Sequence, residues 1–270
     1  MTPGLDATIL AHALRSLSLP RTVYTYGSVG STMDLARPLL KTLPPEQFPV
    51  LLVADEQRTG RGRMGRPWMA PPGTALLVSL VLQPTWLQPA EAVYLVWMAA
   101  VALCEAIETV TPLQPVLKWP NDLLLPVGAP PALTLAKVAG LLLEVNSTVD
   151  HLAWAIIGCG VNLTSAPPAD QTRYPATSLA AAGVEVDRMA LLIALMQRID
   201  GWYQRLAAGE RDALFGAWRS RLVTLGQQVR IETAAGLVSG LAEQVEPDGT
   251  LLVRQASGEL CPVTTGDVGL

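Results

Sequence analysis

The chain has 270 residues, half of them hydrophobic and only 16% charged, with a formal net charge of −4 at pH 7. That length holds one large domain, or one of ordinary size with a small companion, and the apolar content allows a substantial core. The sparse, net acidic charge gives no general attraction to nucleic acid or to an anionic membrane surface.

A mean hydropathy of +0.33 raises the question of a membrane span. The best candidate is the 13-residue apolar run 92–104, bounded by Glu91 and Glu105. A span needs roughly 20 residues, so the run is expected to be a buried helix. No basic segment followed by an apolar run marks the start for secretion. Cys104, Cys159 and Cys261 form neither a CxxC pair nor a zinc spacing, which predicts reduced thiols and a cytoplasmic protein. His12, on an expected N-terminal helix, and His151, in a turn, are expected at the surface, leaving little scope for histidine chemistry.

Strand and helix signals alternate through the first two-thirds of the chain. Residues 22–26 are strand-like, and 32–41 form a short helix that stops before Pro44 and Pro45. Residues 50–54 and 75–82 are strands rich in Val and Leu, and Pro89 precedes a long helix over 90–110. Residues 114–118 and 123–125 flank a Trp-Pro-Asn-Asp turn, and 138–145 and 152–157 are the next strands. Residues 164–177, rich in Pro, Ser and Thr, read as a mobile loop. Asp187 is a plausible N-cap for a helix to about residue 208, whose apolar residues Met189, Leu192, Met196, Ile199, Tyr203 and Leu206 recur at spacings of three and four. A shorter helix covers 212–221. From residue 225 short alternating strands are separated by Asp248-Gly249 and Ser257-Gly258, the pattern of a small β barrel. A domain boundary is therefore expected after residue 222, giving domains 1–222 and 223–270. The fold class is α+β, a mixed sheet flanked by helices followed by the barrel.

The densest chemical signal follows the second strand. Between Arg58 and Arg66 four arginines and three glycines occupy nine positions. Glycines let a loop bring its backbone N–H groups close to a ligand, and guanidinium groups suit carboxylates and phosphates. An anion cradle is the reading this favours over a solvated basic loop, and no Gly-Lys-Ser/Thr makes it a Walker loop. Lys118-Trp119-Pro120-Asn121-Asp122 would project Asn121 and Asp122 from a strand end, although Asn and Asp are also ordinary turn residues. Lys137 opens an apolar strand and is either paired with an anion or snorkelling. Gly158 and Gly160 suggest close approach to the backbone, while Ser31 and Thr32 are explained by helix capping alone.

In order and spacing these segments resemble the biotin–protein ligases, also called biotin–[acetyl-CoA-carboxylase] ligases, over nearly the whole chain. The resemblance rests on Ser31-Thr32, the Gln57 to Arg66 loop, the Lys118 to Asp122 turn, Lys137-Val138-Ala139-Gly140 and Gly158 to Asn162, with Thr177-Ser178-Leu179 and Gly266-Asp267-Val268 further on. It implies a catalytic domain shared with lipoate ligases and an SH3-like barrel at the C-terminus. It places biotin against Ser31, Thr32, Met33, Gln57, Arg61, Gly62, Arg63, Trp68, Lys137 and Gly140, and the nucleotide beside Lys118, Asn121, Asp122 and Asn162. Arg61, Arg63, Lys137 and Asp122 become the catalytic candidates. Met33 stands where the family often has Asn, residues 126–135 lengthen a connection, and the stretch before the first strand is too short for a DNA-binding domain.

The chemistry implied is adenylation of biotin by ATP with Mg²⁺, then transfer to a lysine of a biotin carboxyl carrier protein. The magnesium is expected mainly on the phosphates, and no protein ligand for it is singled out. Asp122 is expected to accept or orient the lysine proton, and the 60–65 and 164–177 loops to close over the adenylate. A lipoate–protein ligase and a non-catalytic biotin-binding regulator are the alternatives. Neither a nucleic-acid nor a membrane partner is expected, and nothing in the sequence sets an oligomeric state.

Overall fold

A computed structural model describes residues 4–128, 133–234 and 236–269. After α1 (Ala7–Leu14), capped by the Asp6 carboxylate, the chain forms β1 (Thr22–Val29), α2 (Thr32–Thr42) and β2 (Val50–Gln57). The short strands β3 (Gly60–Arg61) and β4 (Pro67–Trp68) pair with each other. Next come β5 (Ala75–Leu82), α3 (Val93–Val110), β6 (Val116–Lys118), β7 (Asp122–Val127), β8 (Thr134–Ser147) and β9 (Leu152–Asn162). Helices α4 (Arg188–Ala207) and α5 (Arg211–Arg219) precede β10 (Gln228–Thr233), β11 (Gly236–Val245), β12 (Leu251–Arg254), β13 (Leu260–Val263) and β14 (Asp267–Gly269).

Among the described residues the larger sheet runs β1-β2-β5-β9-β8-β7-β6. The β1–β2 pair, joined through α2, is parallel, and the other pairings are antiparallel. Both faces are covered, so β5 is buried along its whole length rather than alternating. Strand β2 shows how the faces divide. Val50 and Leu52 pack with Met33 and Ala36 of α2, while Leu51 and Val53 join the main core with α3 and α4.

With the Pro89–Glu91 turn, the stretch Pro89–Val110 is long and apolar enough to cross a membrane by length and composition. The expectation that it was too short is corrected. What marks it as a core helix is its packing: Leu95, Trp97 to Cys104, Ala106 and Ile107 are buried, and Trp97 stacks on Trp218 of α5 at 4.3 Å.

The five C-terminal strands form an antiparallel, barrel-like sheet in the order β13-β12-β11-β10-β14. Val229, Ile231, Val253 and Val268 of this sheet share one hydrophobic cluster with Trp97. Two hydrogen bonds reinforce the joint: Trp119 Nε1 donates to the Gly249 carbonyl at 2.9 Å, and Trp119 N to Thr224 Oγ1 at 2.9 Å. Part of the 126–135 stretch extends the β7–β8 hairpin, pairing Pro126 with Leu135 and Val127 with Thr134. Residues 129–132 of that expectation lie outside the described residues. Strand β9 runs on through Gly158 and Gly160 to Asn162, past the expected end at residue 157.

Candidate active site

A cavity of about 280 Å³ opens on the α2 side of the sheet. Every residue singled out for the site lines it: Ser31, Thr32, Met33, Gln57, Arg61, Gly62, Arg63, Trp68, Lys118, Asn121, Asp122, Lys137, Gly140 and Asn162. They come from loops and strand ends that the β2-β5-β9-β8-β7 pairing brings side by side.

At one end, Ser31 stands at the N-cap of α2 but makes no side-chain cap hydrogen bond. The simple capping explanation is therefore corrected. Gln57 supplies the acceptor: its Oε1 receives Thr32 N at 2.8 Å and Thr32 Oγ1 at 3.0 Å. Thr32 Oγ1 also shares a 2.7 Å hydrogen bond with the buried Ser79 hydroxyl. The two glycines of β9 make room for side chains. A Cβ at Gly158 would stand 2.7 Å from Met33 Sδ, and one at Gly160 would stand 2.5 Å from Trp68 Cε2. Gly140 on β8 faces the same indole. Trp68 thus lies flat against the sheet and forms the apolar wall of the cavity.

Cations surround the middle of the cavity. Lys137 Nζ lies 2.7 Å from Asp122 Oδ1, while the other Asp122 oxygen is 3.7 Å from Lys118 Nζ. Lys118 also donates to the Val268 carbonyl at 3.1 Å and sits 4.1 Å over the Tyr174 ring. Burial lowers the pKa of Lys118, which Asp122 opposes. Asp122 thus ties the two ammonium groups together, a placement that suits the orienting one of the two roles expected for it. Arg63 donates to Asn121 Oδ1 at 3.0 Å and to Thr265 Oγ1 at 2.8 Å. The Asn121 amide in turn donates to the Leu141 carbonyl, fixing the turn against β8.

Arg61 is held from outside by carboxylates. Its Nη2 lies 3.0 Å from Asp34 Oδ1 and 3.1 Å from Glu144 Oε1, and Arg37 pairs with the same two acids. Its Nε is buried without a protein partner. The same is true of Trp68 Nε1, Asn162 Oδ1 and Thr172 Oγ1, and all four residues line the cavity. Buried polar atoms are rarely left unpaired, so these mark places for groups of a ligand.

The far wall comes from the end of the 164–177 stretch, expected to be a mobile loop, and from β14. The end of the 164–177 stretch is not free: Lys137 N donates to Pro175 O at 2.8 Å and Thr177 N to Lys137 O at 2.9 Å, a bridge centred on Ala176. Asn162 Nδ2 holds the Thr177 carbonyl at 3.0 Å. Upstream, Arg173 pairs with Glu232 and with Asp267 of β14, and Arg66 donates to Asp267 at 2.6 Å. Burial alone would raise the pKa of Asp267, but Arg66, with help from Lys118 and Arg173, holds it below the usual carboxylate range. Arg66 and Asp267 lay inside motifs already noted, whereas Arg173 and Tyr174 carried no sequence signal.

Residues 29–162 match the biotin/lipoate A/B protein ligase family, and residues 224–270 match the biotin protein ligase C terminal domain. The chain is 30% identical to the bifunctional ligase/repressor BirA of Bacillus subtilis over 260 residues, covering 95% of this chain and 77% of the relative. It is 32% identical to the biotin–[acetyl-CoA-carboxylase] ligase of Paracoccus denitrificans over 225 residues, 81% of this chain and 90% of that one. The fold is similar to the biotin protein ligase of Aquifex aeolicus in complex with biotin and ATP, with a TM-score of 0.74 and 24% identity, covering 92% and 97% of the two chains.

Proposed function

Because the chain belongs to the biotin/lipoate A/B protein ligase family and carries the biotin protein ligase C-terminal domain, we propose that its cavity activates biotin with ATP and passes it to a lysine of a carboxyl carrier protein. The protein is an ATP-dependent biotin–protein ligase. One observation carries the assignment of the cavity: Lys137 and Lys118 share Asp122 at the centre of a pocket also lined by Arg61 and Arg63.

In the first step a biotin carboxylate oxygen forms a bond to the α-phosphorus of ATP, and the bond from that phosphorus to pyrophosphate breaks. An anion meets a polyanion, so fixed positive charge is the main requirement. Lys137, Lys118, Arg61 and Arg63, which all line the cavity, provide it. Thr32, Gln57 and the Trp68 indole form the end of the cavity suited to biotin's polar ring and apolar chain. In the second step the lysine nitrogen attacks the acyl carbon and AMP leaves with the electron pair of the broken C–O bond. The ammonium gives up one proton to solvent before the attack, and the attacking nitrogen gives up another to solvent as the amide forms. Asp122 acts by fixing the two lysines.

Magnesium fits this site as an ion carried by the phosphates. Among the described residues no cluster of three His, Cys, Asp or Glu is placed to hold a metal, and Asp122 and Asp267 are already paired with cations. When bound it would neutralise phosphate charge beside Lys118 and Lys137. A cytoplasmic location and a partner set without nucleic acid belong to the same proposal, supported by the three unpaired thiols and the net charge of −4.

Incubation with labelled biotin, ATP·Mg²⁺ and a biotin carboxyl carrier domain tests the reading. Label should appear on the carrier, and biotin should drive exchange of pyrophosphate into ATP in its absence. Exchange driven by lipoate but not by biotin would transfer the chain to the lipoate branch.

A further inference from the structure

Four charged side chains form a closed ring beside the main cavity. Arg37 of α2 donates from Nε and Nη2 to the Glu144 carboxylate on β8, with a shortest contact of 2.7 Å, and from Nη1 to Asp34 at 2.8 Å. Arg61 closes the ring: its Nη2 donates to Glu144 Oε1 at 3.1 Å and stands 3.0 Å from Asp34 Oδ1. The ring thus joins the start of α2, the short strand β3 and strand β8, three segments that also line the cavity. Arg37 and Asp34 are close to half exposed, and ion pairs so exposed contribute little to stability. What the ring does constrain is Arg61, whose Nη2 faces both acids while its buried Nε has no protein partner.

We propose that Glu144 is a positioning residue for the adenylation step, holding the Arg61 guanidinium in the direction in which its Nε meets the reacting anion. The proposal rests on the ligase reading of the main cavity and adds how one of its cations is aimed. An acid next to an anion-binding cavity weakens the attraction for the anion, so charge alone does not account for Glu144. Orientation does. Arg61 is a long side chain with many rotamers, and ordering a free guanidinium at the moment of binding would subtract from the ligand's affinity. A guanidinium already anchored through one nitrogen by charge-assisted contacts is ordered before the substrate arrives. Arg37 completes the design. It holds Glu144 by two nitrogens and balances the second acid, so the ring carries two charges of each sign. Asp34 and Arg37 stand at i and i+3 on α2, the spacing that lets them pair on one helix face.

The full-length chain tests this with Glu144→Ala and Glu144→Gln. Both remove the same charge, but the glutamine oxygen still accepts from Arg61. Each is also combined with Arg61→Met. Biotin-dependent pyrophosphate exchange is measured against ATP concentration, with the melting temperature alongside. Glu144→Ala should lower kcat for exchange by about 10-fold to 10²-fold, the upper figure being the scale of a misplaced reactant. Glu144→Gln should recover much of that loss, and the melting temperature should move little in either. With Arg61→Met present, neither change at residue 144 should lower exchange further. A wild-type kcat in folded Glu144→Ala overturns the proposal. Equal effects of alanine and glutamine, with a lower KM for ATP, overturn it as well, being the mark of an acid that only dampens local charge. The same fold-loss with and without Arg61 overturns it too, since Glu144 would then act independently. Should Glu144→Ala fail to fold, Glu144→Thr, which suits a strand and is too short to reach Arg61, takes its place. Should Arg61→Met leave no exchange to measure, the comparison of alanine with glutamine decides alone. Absence of exchange in the wild-type chain would count against the ligase reading itself, separately from Glu144.

Discussion

The indole of Trp68 rests where Gly160 has no side chain, with Trp68 Cε2 only 2.5 Å from the position a Cβ would occupy. The glycine is therefore part of the cavity wall although it carries no functional group. Gly160→Ala must push the indole off the sheet, at an overpacking cost of about 1–3 kcal/mol. Calorimetric titration should show biotin affinity falling by an order of magnitude or more. An unchanged biotin Kd would mean that Trp68 does not shape the biotin end of the cavity.

Lys137 is the cation to remove first. Lys137→Met keeps the stem and deletes the ammonium that Asp122 holds at 2.7 Å. Loss of one preorganised charge commonly costs about 10²–10³ in rate. Biotin-dependent pyrophosphate exchange should fall by that factor while the melting temperature moves little, since the lysine is partly exposed and its backbone bridge to Ala176 remains. Exchange near wild type in the folded variant would take Lys137 out of the mechanism.

The elements and the loop chemistry were legible because both are local. Helix α4 announces itself through Asp187, whose carboxylate accepts Ala190 N, and through its apolar spacing. The Arg-Gly loop and the Lys118 to Asp122 turn each hold their chemistry within a dozen residues. What stayed hidden is the set of partners those residues find. Arg61 meets Glu144 across 83 positions and Arg66 meets Asp267 across 201, separations at which periodicity carries no information. The 164–177 stretch read as free because a single bridge to Lys137 leaves no alternation to detect. Ser79 looked like any residue of a buried strand, yet it is the hydroxyl beneath Thr32.

The three cysteines should separate cleanly in a thiol titration. Burial pushes the pKa of Cys104 and of Cys159 up to about 12, so both remain neutral thiols at pH 8, away from solvent. Cys261 is only partly buried. In native protein a disulfide reagent should modify Cys261 alone, and in denaturant all three. Fast native modification of Cys159, which lines the main cavity, would show that the reagent reaches its thiol through that cavity.

Lys118 gives the pH dependence a definite sign. Burial lowers its pKa below the ordinary 10.5. Between the lowered value and 10.5 the folded protein therefore binds fewer protons than the unfolded chain, and stability contributed by this group rises with pH across that window. Below the lowered pKa the charged form is buried at full cost. Lys118→Met removes this dependence, so its melting curve should lack the part of the alkaline rise that the wild type owes to Lys118. Nucleotide binding should respond in the opposite sense. A phosphate beside Lys118 favours the ammonium and takes up a proton, so ATP affinity falls as pH rises through the lowered pKa. Calorimetry from pH 7 to 10.5, with and without ATP, reads both effects. Parallel pH profiles for wild type and Lys118→Met, with equal stabilisation by ATP, would show that Lys118 neither pays a burial cost nor meets the nucleotide.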